Sequence, residues 1–242
     1  MKFPVFDLHC DTALRLISEK EDVLSLREND IHIDLNRAKT LPGYAQCFAL
    51  FTTPAFRSWY QVSPVVAFER MMGEILSQIE ANSDVISLAY TAKDVRKNYE
   101  QGRMSGILTI EGPAGFDFDP ALLPDLYNVG FRMSTLGWNE QNVLTGSHKT
   151  GGGLTDLGRE FVKEAQRLGM IIDVSHISDE GFWDMMDITC APIVATHSDS
   201  RAVHNVSRNL SDDMFLAICK TGGVAGFNQY EAFVGENSDL NI

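Results

Sequence analysis

The chain has 242 residues, 44% of them hydrophobic and 22% charged, with 20 basic against 33 acidic side chains and a formal charge of −13. That composition is globular and sufficient for a sizeable core. The acidic balance would repel a phosphate backbone and sets nucleic acid aside as a partner. No apolar run reaches the ~18 residues that a bilayer span needs, so no membrane association is expected. Met1-Lys2-Phe3-Pro4 lacks the apolar stretch of a secretory signal, and four scattered cysteines make a reducing cytoplasm the expected location.

Phe3–His9 reads as the first strand, a short apolar run that continues into Cys10-Asp11. Residues two apart on an extended chain share a face, so His9 and Asp11 can address one cation. An imidazole nitrogen with a carboxylate oxygen suits zinc or a similar divalent metal. His32 falls in an irregular acidic segment and reads as a surface residue. Gln46–Phe51 is the second strand. Pro64–Ile79 follows as a helix, with Val65, Phe68, Met72, Ile75, Leu76 and Ile79 forming an apolar stripe.

Ser105–Glu111 is an apolar third strand that ends in a carboxylate. Such a charge cannot be buried without a partner, and a pair of cations bridged by Glu111 would supply one. Gly130–Leu136 is the fourth strand. Gly151-Gly152-Gly153 reads as a flexible loop and lacks the GxxxxGK[ST] pattern of a phosphate loop. Thr155 then caps a helix that runs through Leu168 and stops at Gly169. Met170–His176 and Pro192–Ser198, the fifth and sixth strands, each carry a histidine at or near the end, His176 and His197. Ser178 and Ser211 are N-cap candidates for the helices that follow these strands, and Gly223–Asn228 is the seventh strand. His148 and His204 read as loop residues.

Strand followed by helix, repeated this often, predicts a parallel sheet, either a barrel or a doubly wound sheet. Neither a repeat nor a linker interrupts residues 1–242, so a single domain is expected. Parallel barrels gather single active-site residues from the C-terminal ends of different strands. His9, Asp11, Glu111, His176 and His197 all obey that rule, which favours the barrel. A serine nucleophile is not supported, because no GxSxG elbow occurs. Four well-separated cysteines without a CxxC pair argue against a disulfide framework or a thiolate zinc site.

Together the motifs Asp7-Leu8-His9-Cys10-Asp11, Ile110-Glu111-Gly112, Asp173-Val174-Ser175-His176, Thr196-His197-Ser198 and Arg208-Asn209-Leu210-Ser211-Asp212-Asp213 resemble the membrane (renal) dipeptidase family of zinc peptidases. The resemblance implies a (β/α)8 TIM-type barrel with two divalent metal ions, zinc in that family. His9 and Asp11 would hold one ion and His176 and His197 the other, with Glu111 bridging. A hydroxide between the ions would attack the peptide carbonyl of a dipeptide or a similar small amide with a free carboxylate. Arg208 matches the arginine that pairs with that carboxylate, and Tyr230 falls where the family has a substrate-contacting tyrosine. Trp138 stands where active relatives carry a carbonyl-polarising histidine. The Trp138-Asn139 segment looks like the bacterial branch, with Asn139 or Asn142 a candidate for a polar role toward substrate.

The resemblance also implies an eighth strand with a Gly-x-Asp-Phe-Asp-Gly segment, which the 242 residues do not contain. About seven strands are therefore expected, with the last βα unit missing and weak activity for want of its aspartate. The competing reading is a metal-binding barrel without turnover that associates with a further copy of itself or another partner. A cyclic amidase or deaminase is the other enzyme class; Arg208 and the His-x-Asp first motif count against it.

Overall fold

The structure, a computed structural model, describes residues 3–18 and 24–235. The remaining residues, 1–2, 19–23 and 236–242, lie outside the described residues. The chain divides into two compact units, Met1–Asp117 with Asp125–Arg132, and Phe118–Pro124 with Met133–Ile242.

The first unit is built on four parallel strands: β1 (Val5–Cys10), β2 (Tyr44–Phe51), β3 (Ile86–Leu88) and β4 (Met104–Glu111). β2 lies between β1 and β4, and β3 pairs with the start of β4. All of β4 is buried, and all of β2 except Tyr44. Both strands accordingly read as continuous apolar runs rather than alternating ones. The helix Pro64–Ala81 begins where Ser63 accepts the Val66 N–H at 3.2 Å, and Pro64 occupies the first turn, where no amide is needed. Its buried face is Ala67, Phe68, Met71, Ile75 and Ile79, so Met71 rather than Met72 points inward. A Cβ on Gly106 would stand 3.1 Å from the Ile79 side chain, so a small residue lets the helix close onto β4. β3 escapes sequence reading because three residues are too few to show a period.

The second unit holds most of β5 (Phe131–Thr135), the antiparallel hairpin β6 (Thr145–Ser147) and β7 (Gly151–Leu154), and the short parallel strands β8 (Ile171–Asp173) and β9 (Ile193–Val194). β8 pairs with Met133–Thr135 on one side and with β9 on the other. The helices Asp156–Leu168, Asp179–Ile188 and Asp212–Thr221 start at Thr155, Ser178 and Ser211, each hydroxyl accepting a backbone N–H. Gly169 ends the first of them in the left-handed conformation at φ +86°. Phe161, Val162, Ile172, Phe182, Met185 and Ile193 form the core.

Three expectations need correction here. Gly151-Gly152-Gly153 is not a loop but lies within a strand of the hairpin. The two backbones approach so closely that a Cβ on Gly146 would sit 1.7 Å from the Gly151 carbonyl oxygen. The fifth and sixth strands are also shorter than their apolar runs, because the Asp173 carboxylate takes the Ser175 and Thr196 N–H groups out of the ladder. The seventh strand is reduced to a single parallel bridge between Ala225 and Ala195.

Candidate metal centre

In the first unit, β1 and β2 fall out of step between Asp7 and Cys10: three residues on β1 match two on β2, from Gln46 to Phe48. A bulge of this kind re-aims a side chain at the end of a strand. The Asp7 carboxylate fixes the bulge by accepting the His9 N–H at 3.1 Å and the Tyr44 hydroxyl at 3.2 Å. His9 Nε2 then stands 3.6 Å from Asp11 Oδ1 and 3.5 Å from Glu111 Oε2. Metal–ligand distances of 2.0–2.2 Å in a tetrahedral site put neighbouring donor atoms about 3.4 Å apart. The His9–Asp11 and His9–Glu111 spacings therefore suit donors that share a divalent ion, in chemistry as in distance.

Glu111 is buried at the end of β4, where its neighbour Gly112 adopts φ +76°. Thr52 clamps this corner. Its N–H donates to the Glu111 carbonyl at 2.8 Å, its hydroxyl donates to the Gly112 carbonyl, and the same oxygen accepts from the Gly115 N–H at 2.9 Å. Desolvation opposes ionisation of Asp11, but hydrogen bonding and charge from His9 hold its carboxyl below the usual carboxylate range. Burial pushes the Cys10 thiol up to about 12, so it stays protonated and offers no thiolate between the two ligands.

In the second unit the two histidines face each other, with His176 Nε2 and His197 Nε2 2.9 Å apart. His176 is 8% exposed and has a positive φ of 73°, an uncommon conformation for a side chain this large. Asp173 accepts the Ser175 N–H at 2.9 Å, the Thr196 N–H at 3.0 Å and the Thr196 hydroxyl. Because Thr196 spends its proton on Asp173, its oxygen must accept from His197 Nδ1 at 2.7 Å. That leaves His197 Nε2 as a lone-pair donor. A metal-ligating imidazole is held in this way by its other nitrogen. Asp173 and Thr196 were not singled out from sequence as site residues. The signal was present in the Asp that interrupts Ile171-Ile172-Asp173-Val174.

The remaining candidates are spread around this pair. Arg208, 3% exposed, donates Nη1 to Ser198 Oγ at 2.6 Å and Nη2 to the His197 carbonyl at 2.9 Å. The Trp138 ring lies 6.2 Å from that of His176. The Asn139 carboxamide oxygen stands 3.0 Å from His176 Nδ1 and 2.8 Å from His148 Nε2. Asn142 serves its own loop, its oxygen accepting from Leu144 and Thr145 N–H. Tyr230 is 61% exposed and packs against Phe233. His148, read as a loop residue, joins the His176 network. Burial, aided by the charges of Arg208, Lys149 and Arg201, pushes its pKa down to about 4.

The profile of the membrane dipeptidase family, peptidase family M19, matches residues 1–242. The chain belongs to that family. Among solved structures, a metallopeptidase of Rhodobacter sphaeroides bound to a phosphinate mimic of the dipeptide L-Ala-D-Ala is 29% identical, with a TM-score of 0.80 over 96% of this chain and 76% of that one. An uncharacterised protein of Acinetobacter calcoaceticus is 29% identical over 98% of this chain and 84% of its own length. A second, from Klebsiella pneumoniae, is 36% identical over 66% of this chain and 62% of its own. The chain thus spans under two thirds of the Klebsiella relative. The likeness to this metallopeptidase and to a solved dipeptidase of family M19, 30% identical with a TM-score of 0.81 over 98% of this chain and 75% of that one, identifies the parallel strands and their helices as those of a partial (β/α)8 barrel. Membership of this metallopeptidase family implies a divalent metal. Among the described residues no helix is long and apolar enough to cross a membrane.

Proposed function

We propose that the chain works as a single metal-dependent dipeptidase domain in which His9, Asp11, Glu111, His176 and His197 serve as ligands of two divalent ions, zinc by preference. The observation that carries the reading is the preparation of three of these donors. His9 is aimed by a bulge, Glu111 is clamped by Thr52, and His197 is fixed as a lone-pair donor by Asp173 and Thr196. Surface histidines and carboxylates need no such support. When bound, the ions lower the pKa of water and polarise the scissile carbonyl.

The chain's own residues do the rest. Glu111 brings one buried negative charge toward the positive charge of the ions. Arg208 offers a guanidinium, held by Ser198 and the His197 carbonyl, to the C-terminal carboxylate of a dipeptide, for which its planar fork is suited. Trp138 and Tyr230 contribute apolar walls for the side chains. The four cysteines, all free thiols, support a reducing compartment such as the cytoplasm.

The test is hydrolysis of a dipeptide panel that includes L-Ala-D-Ala, followed by release of free amino acid. Turnover that EDTA abolishes and zinc restores is expected. A protein loaded with metal that leaves every dipeptide intact would overturn the reading and favour a metal-binding barrel without turnover.

A further inference from the structure

The two facing histidines are held from behind by different means. Asp173 and Thr196 hold His197. Behind His176 stands Asn139, whose carboxamide oxygen meets His176 Nδ1 at 3.0 Å and His148 Nε2 at 2.8 Å. An oxygen in that position accepts, so both ring nitrogens carry their protons toward it. His148 Nδ1 is then the lone-pair atom and meets Ser207 Oγ at 3.1 Å, where the hydroxyl donates. Both nitrogens of a neutral His148 ring are satisfied by this arrangement.

The backbone locks the same assembly. The His148 N–H donates to the His176 carbonyl at 2.9 Å, and Ser147 Oγ donates to the Asn139 carbonyl at 2.8 Å. The consequence of the assembly falls on His176, whose Nδ1 proton leaves Nε2 as a lone pair. His176 Nε2 and His197 Nε2 stand 2.9 Å apart, so the tautomer of each ring decides whether both nitrogens can address a cation.

We propose that Asn139, buttressed by His148 and Ser207, is a positioning residue that fixes His176 as its Nδ1–H tautomer and so presents Nε2 to metal. This rests on the metal centre proposed above and assigns Asn139 to His176 rather than to substrate. Partners that orient a ligating histidine are worth about 10–100-fold in metal affinity.

The experiment measures zinc affinity by competition with a chromogenic chelator, with melting temperature followed in parallel. Asn139→Leu keeps the size and removes the acceptor. Asn139→Asp keeps the acceptor and cannot donate. Asn139→Leu is expected to bind zinc about 10–100-fold more weakly than the parent, and Asn139→Asp to recover the parent's affinity. His148→Phe should show a smaller loss in the same direction. A folded Asn139→Leu protein with the parent's affinity overturns the proposal. So does an Asn139→Asp protein as weak as Asn139→Leu, which would mark a merely structural role. A parent that binds no zinc overturns the metal centre itself, and this inference with it.

Discussion

Replacing Asp173 by asparagine changes one atom and should reverse a proton chain. In the parent, the Asp173 carboxylate accepts from two backbone N–H groups and from the Thr196 hydroxyl. An asparagine keeps one carboxamide oxygen for the two N–H groups, but its nitrogen now meets Thr196 Oγ as a donor. The Thr196 hydroxyl must then turn its proton to His197 Nδ1, which becomes the acceptor, and the ring proton moves to Nε2. The atom meant for metal is thereby protonated. The stability cost is small, the loss of one charge-assisted hydrogen bond at about 1–2 kcal/mol, or roughly 2–8 °C in Tm. The metal cost is larger in effect, about 10–100-fold in affinity. Chelator competition and thermal melting of Asp173→Asn read the two separately. A variant that binds zinc as tightly as the parent would refute the tautomer argument.

Other substitutions test other parts of the structure. Gly112→Ala places a Cβ 2.1 Å from the Thr52 carbonyl at φ +76°, and should cost about 2 kcal/mol or more and loosen metal through Glu111; unchanged Tm and metal content would contradict the clamp. Arg208→Lys should raise KM for a dipeptide by about tenfold or more while sparing its C-terminal amide, because a point charge replaces a fork. Equal losses on both substrates would show that Arg208 does not read the carboxylate. Phe182→Ala empties a fully buried site and should destabilise the protein by about 3–5 kcal/mol in denaturant unfolding; a loss below ~1 kcal/mol would mean that the core is not packed as described.

The sequence made much of this visible because burial and caps leave local marks. Apolar runs mark β2 and β4 within a residue or two, and Thr155, Ser178 and Ser211 mark helix starts by residue type alone. The ligand candidates were legible for the same reason: a histidine or carboxylate at the end of an apolar strand is a local anomaly. What escaped depends on partners far along the chain. Asp173 bonds Thr196 across 23 residues, and Thr52 bonds Gly112 across 60. The Gly-rich hairpin read as a loop because its strands are made possible by missing side chains rather than by apolar ones. Asn139 and His148 are nine residues apart in irregular chain, where no period announces that they meet.

Metal content tests the proposed ligands most directly. The chain should be reconstituted with zinc, freed of excess by gel filtration and measured by mass spectrometry of its elements. Two equivalents of zinc per chain are predicted for the parent, with fewer after Glu111→Gln and almost none when His9 and His176 are both replaced by alanine. A parent that elutes without zinc, or a double variant that retains as much as the parent, would contradict it.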